Sequence, residues 1–466
     1  MKTLSAVATS LIGALMVLLI PPDAQAVPAF ARQLGVPCST CHFQHFPELN
    51  AFGRNFKQSG FTLGGANLIE ADHFSLPMNM NAAIFTNIRY QKTDGHTPSE
   101  PRNSNNGEWI IPGETSLFIG GRVSPNVGAL VEGDVGGAGT AEGSGFLASI
   151  KVPLIKAFDN GPTVGVVPFS AGLGPAYAYE TMNTGAVGNH FMNLVHINSM
   201  SAAQYIQAAY NPNGAAGSVA EGIGAYISQN NFFATIARWS PNHSIVDAFS
   251  ASATPNSNYA RAAYTPVIGG WDTGIGVQYF GGTSDQVSGS TTEVADITGG
   301  CSTSCPVTLT DQTVYTTYHT EAWIVDAQAQ GTLFNRPTGF YFSYGQVPHS
   351  KVGEAQNIYN PYTETKKAAS IAAEMGVLDS GRVAVQMAYL WAKTGNADFG
   401  DDRAATVGVS YTPWLNVQLL LLQTWYSGSA HSQAALDSGD PFGLGGMLDA
   451  SGTGNALTTL NLALGF

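Results

Sequence analysis

Ala456-Leu457-Thr458-Thr459-Leu460-Asn461-Leu462-Ala463-Leu464-Gly465-Phe466 closes the chain and decides how the rest is read. Leu460, Leu462, Leu464 and Phe466 fall on one face of an extended strand, and Thr459, Asn461 and Ala463 fall on the other. Side chains alternate sides along a strand, so this pattern describes a ribbon with one apolar and one mixed polar face. The same alternation recurs upstream. Ile275, Val277 and Tyr279 interleave with Gly274, Gly276 and Gln278, and Val407, Val409 and Tyr411 interleave with Thr406, Gly408 and Ser410. Residues 118–123 run through Ser124-Pro125-Asn126 into 127–135. There Val127, Ala129, Val131 and Val135 alternate with Gly128, Leu130, Glu132 and Asp134, as in a hairpin with a short turn.

Composition says what kind of sheet this is. The 466 residues include 54 Gly, only 11% are charged, and 44% are hydrophobic, yet beyond the first segment no apolar run is long enough for a membrane-spanning helix. Sparse charge, abundant turn residues and alternating strands without helices fit a soluble β-sandwich poorly and a transmembrane antiparallel β-barrel well. Such strands face lipid on one side and a lumen on the other. At roughly 24 residues per strand and connection, residues 76–466 make about 16 strands. Trp391, Trp414 and Trp425 sit where an aromatic girdle would place them, and 93–107, 282–313, 349–365 and 428–455 read as external loops. The closing strand, with its terminal aromatic residue, resembles the last strand of bacterial outer-membrane proteins.

At the other end, residues 1–26 read as a signal peptide. Lys2 supplies the positive charge, 4–20 the apolar core, and Ala24-Gln25-Ala26 the cleavage site, so the chain is expected to be exported. Cys38-Ser39-Thr40-Cys41-His42 follows, and C-x-x-C-H is the attachment pattern of a c-type haem. Cys38 and Cys41 would form thioether bonds and His42 would be the proximal ligand of the haem iron. The competing uses of the motif are a redox disulfide and a metal site. The first calls for a surrounding βαβ pattern and the second for another ligand pair, and neither is visible. Cys301 and Cys305 lie in a Gly/Ser/Thr-rich stretch and are read as a local disulfide, against the alternative of free thiols.

Residues 27–75 form the candidate haem segment, too short to wrap a haem alone and so expected to lie inside the barrel or at its mouth. Leu49, Phe52 and Phe56 recur at helical spacing and predict a short helix with one apolar face. Candidates for the distal ligand are His73, Met78 and Met80; His45 follows His42 too closely to reach the opposite face of the iron. Arg32, Arg54 and Lys57 are candidates to pair with haem propionates, or form a solvated cationic face. Glu132, Asp134 and Asp326 are candidates to point into the lumen, but no His or carboxylate set has the spacing of an iron site.

The run Phe30-Ala31-Arg32-Gln33, Gly35, the haem motif, Pro47-Glu48-Leu49-Asn50, Phe52-Gly53-Arg54, Phe56-Lys57 and Gly60-Phe61-Thr62-Leu63 closely resembles the N-terminus of the fused outer-membrane monohaem cytochrome c–porins of iron-oxidising bacteria. Leu34 departs from that pattern. The barrel resembles the family only in length, pattern and C-terminus. The resemblance implies one covalent haem c in a bacterial outer-membrane barrel. It further implies Fe(II) outside the cell as electron donor, so that the electron carrier would act as an Fe(II) oxidase. Periplasmic carriers such as a soluble cytochrome c would be the acceptors. Two alternatives stay open, a conduit for another donor or acceptor and a solute porin with a haem-binding plug. The net charge of −13 and the lack of basic clusters exclude a nucleic-acid-binding role.

Overall fold

The computed structural model describes residues 29–45, 47–64, 68–71, 74–77, 81–94, 107–136, 147–172, 174–185, 201–207, 219–241, 255–294, 309–378, 382–414, 416–432 and 455–466. The signal-peptide reading of 1–26, the ligand candidates His73, Met78 and Met80, and the Cys301–Cys305 pair lie outside them.

Alternating strands have produced a closed antiparallel barrel of sixteen strands. In chain order they are β1 (Ala82–Thr93), β2 (Glu108–Ser124), β3 (Val127–Gly136), β4 (Leu147–Lys151 continuing as Leu154–Ala157), β5 (Thr163–Ala171), β6 (Ala220–Gln229), β7 (Phe232–Ser240) and β8 (Ser257–Tyr264 continuing as Val267–Ile268). The circuit continues through β9 (Trp271–Gly281), β10 (Ala322–Leu333), β11 (Arg336–Val347), β12 (Lys366–Gly376), β13 (Val383–Lys393), β14 (Asp401–Trp414), β15 (Val417–Ser427) and β16 (Ala456–Gly465). Closure is made by β16 against β1, from Leu457 opposite Thr93 to Gly465 opposite Phe85. Closure leaves no sheet edge, the condition for strands to cross lipid.

The faces sort as the alternation requires. Ile275, Val277 and Tyr279 are 63%, 48% and 54% exposed on the outer wall, whereas Gln278 and Thr459 are fully buried inside. Outer-wall exposure of large apolar side chains is what a lipid-facing band looks like without its lipid. At one end the strands are joined by tight turns. Pro125-Asn126 joins β2 to β3, and Phe334-Asn335, both with positive φ, joins β10 to β11. β1 begins and the chain ends at this same end, with Phe466 bonded to Ile84. Long connections lie at the other end. Short turns mark the periplasmic side of an outer-membrane barrel and long loops the outside, so the molecule is a bacterial outer-membrane β-barrel in contact with membrane lipid. Trp391 and Trp425 stand toward the outer ends of their strands, and Trp414 at the periplasmic end of its own, as the girdle reading expects.

Two sequence expectations need correction. Thr283–Val294 and Leu309–His319 form a hairpin beyond the barrel circuit rather than a plain loop, its Thr and Val content favouring a strand. The apolar face expected at Leu49, Phe52 and Phe56 is rotated: Phe56 is buried, Phe52 is 41% exposed, and Leu49 precedes the helix, bridged to His42. That helix, α2 (Ala51–Gln58), buries Gly53, Arg54 and Phe56 instead.

The lumen is filled in three tiers. The N-terminal segment, carrying α1 (Ala29–Leu34) and α2, plugs the periplasmic mouth. Above it, residues of the long β5–β6 connection turn inward, and higher still their short helix α3 (Ala202–Gln207) is buried against Tyr259, Phe280, Ile324 and Leu390 of the wall.

Candidate functional site: the motif turn and its cavity

Cys38–Thr40 form one turn of 3-10 helix after Pro37, and the amides of Cys41 and His42 both donate to the Cys38 carbonyl at 3.0 and 2.9 Å. Asn50 fastens this turn to α2. Its amide donates to the Cys41 carbonyl at 3.0 Å, its side chain donates to the Thr40 carbonyl at 3.0 Å, and its Oδ1 caps the helix by accepting from Gly53 N at 3.0 Å. Gly53 then lies so close that a β-carbon there would stand 2.2 Å from the Cys41 carbonyl oxygen. Only glycine fits this helix against the motif.

The plug is bonded to the wall on all sides. Gln33 donates to the Phe61 and Leu63 carbonyls, both at 2.7 Å, and accepts from Arg122 N of β2 at 2.9 Å. His45 Nε2 meets Glu374 of β12 at 2.5 Å. Arg54 pairs with Asp272 of β9, also at 2.5 Å. Its inward partner removes Arg54 from the solvated cationic face that the sequence left open. Arg32 donates to the Ala82 carbonyl at the start of β1. The inward connection clasps the plug from above: Asn183 Oδ1 accepts from Leu49 N at 2.9 Å while Asn183 Nδ2 donates to Leu49 O at 3.0 Å.

Between plug, wall and inward connection lies a cavity of about 310 Å³, partly open to water. Cys38, Cys41 and His42 line it together with Phe56 and Phe61 of the plug and Phe85, Phe118 and Leu130 of the wall. Phe61 stacks on Phe30 at 4.9 Å, and Phe56 meets Phe30 edge-on at 5.2 Å, so this side is an aromatic surface. Tyr177 and Glu180 enter from the inward connection, and Lys57 and Lys151 complete the lining.

The chemistry of the donor set fits a haem. Cys38 and Cys41 are free, partly buried thiols, and burial raises both above the ordinary thiol range. Burial pushes the His42 imidazole down to about 4, against the pull of the Pro47 and Glu48 carbonyls, so it is neutral near pH 7 and has a lone pair to give a metal. Among the described residues no three of His, Cys, Asp and Glu gather as a shared ion site, so the three motif side chains do not converge on one metal ion. They border instead one shared cavity of about 310 Å³, within the range of ligand pockets.

Of the other site residues read from sequence, His45 lines the cavity but sits on a bend, not a helix, and is held by Glu374 and Gln386. Asp326 and Glu132 do point inward, while the Asp134 side chain lies outside the described set. Sequence reasoning missed Lys151, Glu180, Asn50 and Asn183. Lys151 carried a signal, a charge at an inward strand position; the others become partners only through the fold.

Arg261 spans the middle of the lumen, its Nε 2.8 Å from Glu180 and its Nη2 2.9 Å from Asp326. It fixes the inward connection to β8 and β10. The barrel can be compared with solved structures. OmpT of Vibrio cholerae is 11% identical, with 86% of this chain and 100% of that one covered, at a TM-score of 0.45. The outer membrane channel DcaP of Acinetobacter baumannii is 10% identical over 83% and 97% of the two chains, at 0.46. OprB of Pseudomonas putida is 12% identical over 83% and 93%, at 0.48. The likeness is one of barrel architecture alone. No family model and no curated protein matches the chain.

Proposed function

We propose that this outer-membrane barrel is an electron-transfer protein of the fused cytochrome c–porin kind. One covalent haem c would be bound through Cys38 and Cys41, with His42 on its iron. The observation that carries the reading is the placement of the motif turn, whose Cys38, Cys41 and His42 all line one mostly apolar cavity at the periplasmic mouth. When bound, the haem supplies a one-electron ferric–ferrous couple.

The chain's own residues would do the rest. Pro37, Asn50 and Gly53 hold the thiols and imidazole in one rigid turn. Phe30, Phe56 and Phe61 would keep water from that side, and a carrier such as a soluble cytochrome c would dock on the periplasmic face of the plug. The core around α3 makes a packed interior between the motif and the outer surface, and stacked Tyr179 and Tyr226, 4.1 Å between ring centres, brace the end of α2 through Gly60 and Gln58. We take extracellular Fe(II) as the donor on the resemblance of residues 30–63. Stopped-flow mixing of the oxidised protein with Fe(II) tests this: rapid appearance of the reduced c-type spectrum is expected. A haem that accepts electrons from dithionite but ignores Fe(II) would overturn the donor.

A second reading, a solute porin with a haem-binding plug, is favoured by the wall itself, whose circuit and turn arrangement are those of porins. The buried core across the lumen weighs against it, and bilayer conductance separates the two.

A further inference from the structure

Among the described residues, the arginines beside the cavity are tied to the protein and do not line it. Arg32 donates to the Ala82 carbonyl, Arg54 pairs with Asp272, and Arg122 donates to the Thr62 carbonyl at 2.5 Å. Lys57 and Lys151 differ. Lys57, one turn of α2 beyond Gly53, makes no hydrogen bond among the described residues and feels only the more distant attraction of Glu180. Lys151, on the inward face of β4, is 2% exposed. It spends one proton on the Tyr177 carbonyl at 3.2 Å, and its ammonium sits 4.2 Å from the centre of the Tyr177 ring. Both line the cavity that Cys38, Cys41 and His42 line.

The two carboxylates of the cavity attract these lysines but bond to other groups. Glu180 lies against Arg261 at 2.8 Å, and Glu132 accepts from Ser149 Oγ at 3.1 Å. Lys57 and Lys151 therefore enter one mostly apolar space and repel each other, a repulsion that Glu180 and Glu132 offset only in part. Burial already pushes Lys57 down to about 8. A buried charge is stable only when paired, so the site calls for an amphiphilic ligand with a flat apolar body and two anionic groups on one edge.

We propose that Lys57 and Lys151 bind the two propionates of the haem, and so fix which edge of the macrocycle faces β4 and the inward connection. The inference rests on the haem reading above. The thioether-bearing and propionate-bearing edges of a porphyrin occupy different halves of the ring, so the lysines and cysteines together would orient it uniquely. Charge-assisted bonds to the propionates would also place two cations near the iron and favour the ferrous state.

The test compares Lys57→Gln, Lys151→Met, the double variant and Lys151→Arg in the full-length protein matured with haem. Barrel folding is checked by the shift of unboiled protein on gels, covalent haem by its absorption after denaturation, and the midpoint potential by redox titration. Each removed charge is expected to shift the ferrous-to-ferric ratio at fixed potential about tenfold toward ferric, 59 mV for a one-electron couple, with a larger shift in the double variant. Lys151→Arg should restore the wild-type value. Loss of covalent haem from the folded double variant but not from Lys151→Arg would also support the placement. Intact haem with an unchanged potential in the double variant would overturn it. Absence of covalent haem from the matured wild-type protein would overturn the haem reading itself.

Discussion

Replacing Gly53 with alanine asks whether α2 rests on the motif turn. Taken alone, the change stabilises a helix interior by about 1 kcal/mol, because alanine gives up less backbone freedom than glycine. Packing opposes it. The new β-carbon would stand 2.2 Å from the Cys41 oxygen and 3.0 Å from Leu49 Cδ2, so helix and turn must part by roughly 1 Å to reach ordinary contact. The Leu49 methyl can turn aside, but the Cys41 oxygen is backbone of a hydrogen-bonded turn, and overpacking of this kind costs about 1–3 kcal/mol. The Cys41 oxygen also accepts from the Asn50 amide, a bond that the displacement strains. We therefore expect net destabilisation of the plug by about 1–2 kcal/mol, a factor of about 5–30 in its local opening, with barrel stability unchanged. Hydrogen exchange at Asn50 reads this directly. Exchange as slow as in the wild type, or slower, would refute the packing of α2 on the Cys38–His42 turn.

Other perturbations test other levels of the structure. Arg54→Ala leaves Asp272 without its partner in a mostly buried position, at a cost of about 3 kcal/mol, and should expose the plug to added protease while the barrel resists; unchanged cleavage would count against the pairing. Arg261→Met leaves Glu180 and Asp326 uncompensated, at a cost of about 3–5 kcal/mol, and should release the inward connection. Bilayers holding the wild type should stay silent and those holding this variant should show ion steps, whereas equal silence would refute Arg261 as the latch. Val277→Arg puts a charge on the lipid face and should lower folding stability in vesicles by about 2–4 kcal/mol if it lies near the midplane, measured by urea titration; no loss would contradict that strand's orientation.

What was legible in the sequence was local. The β16 alternation predicts which side chains face out, and Leu460 and Phe466 do so. Two-residue periodicity survives wherever one face meets lipid, which is why facing emerged from pattern, whereas strand number came from chain length. Cys38-Ser39-Thr40-Cys41-His42 was legible as a C-x-x-C-H pattern because its residues are adjacent in the chain. The inward connection was not. Its alanines and tyrosines have no lipid to face and so carry no period, and α3 is held by remote groups such as Ser343, Ser370 and Asp402. The plug's attachments, His45 to Glu374 and Asn183 to Leu49, likewise join residues that only barrel closure brings together. The rotated face of α2 belongs to this class: Arg54 turns inward because Asp272 is there.

The account's central claim is that one haem, seated on Cys38, Cys41 and His42 in a closed barrel, joins the two sides of the outer membrane. Vesicles carrying the matured protein, with oxidised soluble cytochrome c inside and Fe(II) added outside, test it most directly. The account predicts reduction of the enclosed cytochrome without leakage of a small dye, lost in a Cys38→Ala/Cys41→Ala variant that still inserts. An enclosed cytochrome that stays oxidised while the wild-type haem is intact, or a barrel that passes the dye freely, would contradict it.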